Sequence, residues 1–260
     1  MRTRQALIPL VAAIMVISLQ PAAHSFAVEA PSQLTVRIQA NSAKWVSSEV
    51  SGALVVVKDA ITGQVLQTGK VVGTSGDTAA IMNDPRTPLQ PTPTLDAAAS
   101  VTFNFAFNSP RRLFVEAYGP LVGPTPVSQT SAPIWIVPGD KQSLALTLHG
   151  LIVTVTTPAP HSALTSSGPV QVPITASVQM LCGCPISTAS PWTPNRYRVR
   201  VLVTSPGIAT QTIQLVYQST DTFTGSVTLP GAGMFDLVVV ADMPGTGNTG
   251  SSATSVVVVP

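Results

Sequence analysis

The chain has 260 residues, of which 45% are apolar and only 9% are charged, with 24 prolines and 18 glycines. Proline and glycine at this frequency interrupt every candidate helix, and the apolar runs are rich in Val and Thr, so the composition favours strands. The formal charge of +2 comes from Arg2 and Arg4, and the remaining 11 basic and 11 acidic side chains cancel. The chain therefore has no overall positive charge that would favour binding to nucleic acid or an anionic membrane, and neither partner is expected.

The first 27 residues have the pattern of an export signal. Arg2 and Arg4 precede an almost wholly apolar stretch, Ala6 to Leu19, which is followed by Ser25-Phe26-Ala27. The apolar run is shorter than the roughly 20 residues that span a membrane, and small residues stand where a signal peptidase reads. The sequence therefore predicts a signal peptide over residues 1–27. The product is expected in the periplasm or outside the cell, without a transmembrane anchor and under conditions that permit disulfides.

The region 28–150 is predicted to form one β domain. Polar and apolar residues alternate through its first run, and Ala60-Ile61-Thr62-Gly63 is a turn signal between two runs, which predicts a hairpin. Phe103, Phe105 and Phe107 share one face and are expected in the core. The stretch Asp84–Pro93 carries four prolines and is expected to be a loop or an edge. The predicted strands are Gln33–Gln39, Ala53–Asp59, Gln64–Thr68, Thr78–Met82, Val101–Phe107, Leu113–Tyr118, Ile134–Val137 and Ser143–His149.

This half resembles a known class of domain. The segment Gly52-Ala-Leu-Val-Val-Val-Lys-Asp-Ala-Ile-Thr-Gly63, with Val115-Glu-Ala-Tyr-Gly119 and Pro138-Gly139 further on, is similar to the transthyretin-like, carboxypeptidase-regulatory β-sandwiches. In that class the corresponding Gly-x-x-Val-x-Val-x-Asp-x-x-Thr-Gly segment forms the first hairpin. The resemblance implies an accessory module without chemistry of its own. The long proline-rich stretch departs from the pattern.

The region 151–260 is predicted to be a second sandwich that directly abuts the first. Its seven predicted strands, separated by turn signals, match the number in an immunoglobulin-like or fibronectin-type domain. The segments Ser167-Gly-Pro-Val170 and Gly233-Met-Phe-Asp-Leu-Val-Val-Val-Ala241 resemble bacterial Ig-like modules of secreted and surface proteins. The fold class predicted is thus all-β, with two consecutive β-sandwich domains. The strands are Leu151–Thr157, Val170–Met180, Tyr197–Thr204, Thr210–Tyr217, Phe223–Leu229, Met234–Ala241 and Ser252–Val259.

Both cysteines of the chain lie in one short segment, after Met180. Because Met180, Cys182 and Cys184 alternate, their sulfurs would share a face of a continuing strand, a soft donor set that suits copper, with His161 or His149 completing a site. A Cys182–Cys184 disulfide is the favoured alternative, since export makes it chemically easy. Two further hypotheses are possible: the cysteines are free or intermolecular thiols, or they form a thiol–disulfide exchange centre.

Two further features are candidates for contacts with a ligand or partner. Arg196, Arg198 and Arg200 alternate with apolar residues, so a row of guanidiniums could bind an anionic polymer. The alternative is a solvated strand face paired with Asp221, Asp236 or Asp242. Trp192 stands between Pro191 and Pro194 and either stacks on a sugar or plugs the end of the sandwich. Trp135, between Ile134 and Ile136, is expected on a core or interface strand.

The sequence offers little support for catalysis. After signal cleavage only two histidines remain, and no short-spaced carboxylate pair, phosphate-binding glycine loop or Gly-x-Ser-x-Gly segment is present. The first hypothesis is therefore an exported, non-catalytic binding or structural protein of the cell envelope or surface, whose partners are other envelope or surface proteins or copies of itself. The second is a periplasmic copper-binding protein, and the third is a thiol–disulfide exchange protein.

Overall fold

The computed structural model describes residues 31–85, 87, 90–94, 97–123 and 126–260. The predicted signal peptide, residues 1–27, lies outside the described residues. Within them the chain forms sixteen β-strands and three short helical turns. The predicted all-β fold with two consecutive sandwiches is confirmed. In the described part of the chain every strand ladder joins strands of the same half, and only His149 and Gly150 separate the last strand of one half from the first of the next.

The N-terminal sandwich is built from seven strands. They are β1 (Ser32–Ala40), β2 (Leu54–Asp59), β3 (Val65–Lys70), β4 (Val101–Phe105), β5 (Arg111–Gly119), β6 (Ser128–Ile136) and β7 (Lys141–Leu148). One sheet has the order β4-β1-β7, in which β1 is antiparallel to β4 and parallel to β7. The other has the order β3-β2-β5-β6 and is antiparallel throughout.

Alternation of side chains builds the core between these two sheets. Along β1, Leu34, Val36 and Ile38 are buried, and the residues between them face outward. The predicted core position of the phenylalanines agrees with the structure, because Phe103 and Phe105 are buried. Phe107 lies beyond the end of β4 and stacks on Phe105 with their ring centroids 5.0 Å apart.

The predicted strand Thr78–Met82 is wrong, because Ala79–Asn83 forms a single π-helical turn. The carboxylate of Asp77 accepts a hydrogen bond from the Ala80 amide at 2.7 Å and starts the turn, while Ile81 packs inward. A short apolar run fits either a strand or a helical turn, and the hydrogen bond from Ala80 to the Asp77 side chain favours the turn. The described residues of the proline-rich stretch that follows form no strand.

The C-terminal sandwich has nine strands rather than the predicted seven. They are β8 (Leu151–Thr157), β9 (Ser162–Thr165), β10 (Val170–Met180), β11 (Arg198–Ser205), β12 (Ile208–Gln214), β13 (Val216–Ser219), β14 (Thr222–Leu229), β15 (Gly233–Met243) and β16 (Asn248–Val259). One sheet has the order β13-β14-β10-β8 and the other β12-β11-β15-β16-β9.

The two extra strands have separate origins. The short β9, which runs parallel to the end of β16, was not predicted. The predicted strand Thr210–Tyr217 is split at Leu215, which is buried between β12 in one sheet and β13 in the other. The Leu215 amide donates to the Val199 carbonyl at 2.8 Å. The chain therefore crosses from the sheet of β12 to the sheet of β13 at Leu215, whose side chain is buried between them.

Candidate functional site

Most residues singled out by the sequence or by exposure lie in three places: the contact between the two sandwiches, the start of β11, and the outer surface of β2, β5 and β6. The first is the contact between the two sandwiches, here called the junction, where Asn41, Ser42 and Val50 of the N-terminal half meet the C-terminal half. Asn248 is fully buried there and accepts from the Gly150 amide at 3.1 Å. Its Nδ2 donates to the Asn41 carbonyl at 3.0 Å. The Asn248 side chain thus joins the connection between the two halves, at Gly150, to Asn41 of the N-terminal half.

The cysteine segment forms a tight turn on the junction. After β10 ends at Met180, the Gly183 amide donates to the Met180 carbonyl at 2.9 Å, and Gly183 adopts φ +77°. A disulfide joins Cys182 to Cys184, whose Cα atoms are 5.2 Å apart, and the two residues are 0% and 3% exposed. A Cβ atom on Gly183 would lie 2.8 Å from Val50 Cγ1, so the turn contacts the N-terminal sandwich closely.

His161 is not brought to the three sulfurs proposed for a copper site, which lie together in the cysteine turn. Met180 pairs with Leu151 at one end of β8, whereas His161 lies beyond the opposite end of that strand, which is about 20 Å long by strand rise. The Met180 sulfur instead accepts from the Tyr197 hydroxyl at 3.1 Å, and burial raises the pKa of Tyr197 to about 12. Cysteine sulfurs bonded to each other offer no thiolate to a metal. Among the described residues no group of three or more His, Cys, Asp or Glu side chains could hold a metal ion.

Burial of the disulfide makes a prediction about its reactivity. Because both cysteines are at most 3% exposed, a thiolate has no path to either sulfur in the folded protein. We expect mild reductant followed by alkylation to leave the folded protein unlabelled, and to label two cysteines once the protein is denatured, as read by intact mass. Equal labelling with and without denaturant would instead favour the thiol–disulfide exchange hypothesis.

Trp192 is a plug in the junction. It is 2% exposed, and its indole Nε1 donates to the Ser42 carbonyl at 3.0 Å across the two halves. No ring face is left for a sugar. Of the two alternatives predicted for this residue, the structure places it in the plugging position.

The predicted row of three arginines is reduced to two, and both pair with one carboxylate. Arg198 donates to Asp242 Oδ2 through Nε (3.0 Å) and Nη2 (2.6 Å), and Arg200 donates to Oδ1 at 2.9 Å. Arg196 lies in the turn Pro194–Arg196 before the strand begins. Asp242 is thus an acid that pairs with the arginines, as the alternative of a solvated strand face expected. An anionic polymer would have to displace its carboxylate from Arg198 and Arg200.

Asp221 holds the cysteine turn to the turn before β14. Its carboxylate accepts from the Ile186 amide at 2.6 Å and from Gln179 Nε2 at 2.7 Å. Desolvation by burial is the main cause that raises the pKa of Asp221 above its ordinary value of 3.8, and the two hydrogen bonds oppose it. Burial therefore makes the charged form of Asp221 less favourable, and the hydrogen bonds from Ile186 and Gln179 offset part of that effect.

This shift predicts a pH dependence of stability. With its pKa raised, the folded state binds a proton that the unfolded state has already lost, so stability falls as pH rises from 3.8 through the folded pKa. Asp221→Asn keeps an acceptor for the Ile186 amide and removes the titration. We expect its free energy of unfolding, relative to wild type, to increase between pH 4 and pH 7 in urea titrations. A relative stability that stays constant or decreases over this range would contradict the shift.

An exposed apolar face was missed by the sequence analysis. On β2, β5 and β6 the residues that alternate with the buried ones project away from the core, and together they form what is here called the outer face. Six of its residues are apolar or aromatic, with Trp135 59% exposed. They are Leu54, Val56, Phe114, Tyr118, Pro133 and Trp135.

A polar network crosses the centre of the outer face. Lys58 Nζ lies 2.8 Å from Glu116 Oε2, and the Tyr118 hydroxyl donates to the same oxygen at 2.8 Å. The hydrogen bond from Lys58 is the main cause that lowers the pKa of Glu116, and the bond to Glu116 raises the pKa of both Lys58 and Tyr118. The network fixes Tyr118 in place beside the apolar side chains.

The arrangement of the outer face follows from strand register. Arg112 of β5 pairs with Trp135 of β6, and Phe114 pairs with Pro133. Ile134 and Ile136, the neighbours of Trp135, pack toward the core, which turns the indole to solvent. The signal available in the sequence was the second set of alternating positions in Arg111–Gly119, where aromatic residues stand on the face opposite Leu113 and Val115.

Comparisons with known proteins add only fold-level neighbours. No protein-family model matches the chain, and no curated protein matches its sequence. The fibronectin(III)-like modules of Clostridium thermocellum CbhA are 12% identical with a TM-score of 0.28, over 85% of this chain and 88% of that one. The chicken CNTN1 FN1–FN3 domains are 9% identical with a TM-score of 0.24, over 88% and 65%. Titin domains Z1Z2, in complex with telethonin, are 11% identical with a TM-score of 0.24, over 79% and 80%.

At these scores the likeness assigns neither a family nor a function. The neighbours are fibronectin-III-like and Ig-like β-sandwich modules, and the transthyretin-like character of the N-terminal half is not confirmed and stays a prediction. Among the described residues, no helix is both long and apolar enough to cross a membrane.

Proposed function

We propose that the chain is an exported, non-catalytic binding or structural protein of the cell envelope or surface, and that the outer face contacts another protein there. The observation that carries the proposal is the outer face itself, a sheet surface with an exposed tryptophan and five further apolar or aromatic side chains. Apolar surface of this kind on a chain with so little charge is a marker of an interaction site.

The composition of the outer face supports a protein as the partner. Tryptophan, tyrosine and arginine are the residues that most often dominate binding energy between proteins, and Trp135, Tyr118 and Arg112 stand here on adjacent strands. Lys58, Lys70 and Arg112 outnumber Glu116 among the charges on or beside this face. The complementary surface is therefore acidic with an apolar centre.

The rest of the chain supports a role without catalysis. His149 Nδ1 is engaged by the Thr246 carbonyl at 3.2 Å, and His161 lies in the turn before β9, at the far end of the sandwich from the cysteines. The transthyretin-like resemblance of the hairpin β2–β3 points to an accessory module in the same way. The predicted signal peptide and the disulfide are both consistent with export.

The test uses a photo-cross-linking residue at position 135 in the producing cells, with position 143 as the matched control. Ser143 is also exposed, but on β7 in the opposite sheet. A protein cross-linked only from position 135 is then purified, and its affinity for the chain is measured. Trp135→Ala and Arg112→Glu should each weaken binding about tenfold or more, whereas Ser143→Ala should not. Equal cross-linking from both positions, or unchanged affinity, would reject the outer face as the site.

A further inference from the structure

The ends of the sheets differ in how they are protected against pairing with another strand. A free strand edge is a template for association, and short strands, proline, lysine or a covering element normally block it. Here β6 carries Pro133, β3 ends at Lys70, and β7 begins at Lys141. The edge strands β9 and β13 have four residues each, β4 has five and lies beside β3, and β8 packs against β16.

Strand β12 has none of these blocks. It is the edge of the five-stranded sheet, and no described strand pairs with its outer side. Its seven residues, Ile-Ala-Thr-Gln-Thr-Ile-Gln, include no charge, proline or glycine, and every one except Ile213 is exposed. Uncharged runs of this length rich in β-branched residues are those that add readily to another strand. A register shift between Ile208 and Gln211, the mark of a bulge, protects the start of β12, whereas Gln211–Gln214 pair regularly with β11 and leave their outer side open.

We infer that β12 pairs with β12 of a second copy, antiparallel about a two-fold axis at Thr212. The pairing would join two five-stranded sheets edge to edge. It uses a surface separate from the outer face and does not depend on the proposed partner protein.

The residues of β12 suit its own copy as partner. In this register Thr212 faces Thr212 of the second copy, and Gln211 faces Ile213, so no like charges oppose each other. A Thr–Thr pair directly across two strands is favourable. Without Arg2 and Arg4 the chain is formally neutral, so general charge repulsion between copies is small.

The size of the contact sets the expected strength. Centred on Thr212, only residues 210–214 of the two β12 strands face each other. Such a short pair buries less than the roughly 1,200 Å² of a stable dimer, so the association is weak and depends on concentration. Sedimentation velocity of the exported chain from about 1 µM to about 0.5 mM covers this regime. We expect the weight-average mass to rise toward that of a dimer at the upper end.

The variant Thr212→Lys tests the register, since it places two ammonium groups opposite each other across the two-fold axis. It should weaken dimerisation at least tenfold. Thr35→Lys is the matched control, because Thr35 is on β1, which has partner strands on both sides. This control should dimerise like wild type. A wild-type chain that stays monomeric throughout, or a Thr212→Lys chain that dimerises as well as the control, overturns the inference.

A second measurement guards against misfolding of the variant. Hydrogen exchange of the wild-type β12 amides should slow at high concentration while the exchange of the β3 amides, on another sheet edge, stays constant. Exchange in β12 that is independent of concentration overturns the inference. So does protection that appears only when a different protein is added, because the partner is then not a second copy.

Discussion

Replacing Trp192 by alanine should lower the free energy of unfolding by about 3–5 kcal/mol, the cost of deleting a fully buried aromatic side chain. The indole is 2% exposed and fills the junction, and its Nε1 donates to the Ser42 carbonyl, which would lose its partner. Urea unfolding monitored by circular dichroism measures the loss. Trp192→Phe keeps most of the apolar volume and should lose less.

Trp135→Ala is the matched control for this prediction. The side chain of Trp135 is 59% exposed, so its removal should change stability by no more than about 0.5 kcal/mol. The two substitutions delete the same atoms from the same chain. Similar losses in the two variants would contradict the assignment of Trp192 as the buried plug and Trp135 as an outward residue of the outer face.

Replacing Asn248 by alanine should cost about 2–3 kcal/mol, because an amide of the connection and a carbonyl of the N-terminal half would lose their partners at once. The Gly150 amide would lose its acceptor and the Asn41 carbonyl would lose its donor. The space left is too confined for bulk water to replace both, since Asn248 is fully buried. Chemical denaturation gives the value directly.

Asn104→Ala serves as the control, since Asn104 is exposed on β4 and its side-chain oxygen accepts a surface hydrogen bond from Gln33. It should be neutral within about 0.5 kcal/mol. Asn248→Asp sharpens the test. It keeps the acceptor for Gly150 but places a carboxylate oxygen against the Asn41 carbonyl, so it should cost at least as much as alanine. A neutral Asn248→Asp would show that the side chain is solvated and not locked between the halves.

Most of the strands could be predicted because burial follows local alternation. The predicted strand Val170–Met180 coincides with β10, and its alternate residues are buried as the period of two requires. Alternation failed where a local interaction decided the backbone. The hydrogen bond from Ala80 to the Asp77 side chain favours a helical turn over Ala79–Asn83, and the buried Leu215 divides a uniform run into two strands.

The candidate site was harder to predict because it depends on which strands become neighbours. Lys58 and Glu116 are far apart in sequence and meet only through the pairing of β2 with β5. Trp135 and Trp192 have similar apolar or proline neighbours, yet one faces solvent and the other closes the junction. Whether a tryptophan faces solvent or the other half of the protein depends on the assembled fold. The residues next to Trp135 and Trp192 in the sequence do not determine it.

The parallel pairing of β1 with β7 has a mechanical consequence. These are the first and last strands of the N-terminal sandwich, and they pair in register from Gln33 with Lys141 to Ala40 with Leu148. A pull on the two ends of that sandwich acts along the strands, so the ladder bonds are loaded together in shear and cannot be unzipped one at a time. A sandwich tethered through its ends would resist tension far better than its modest hydrogen-bond energies suggest.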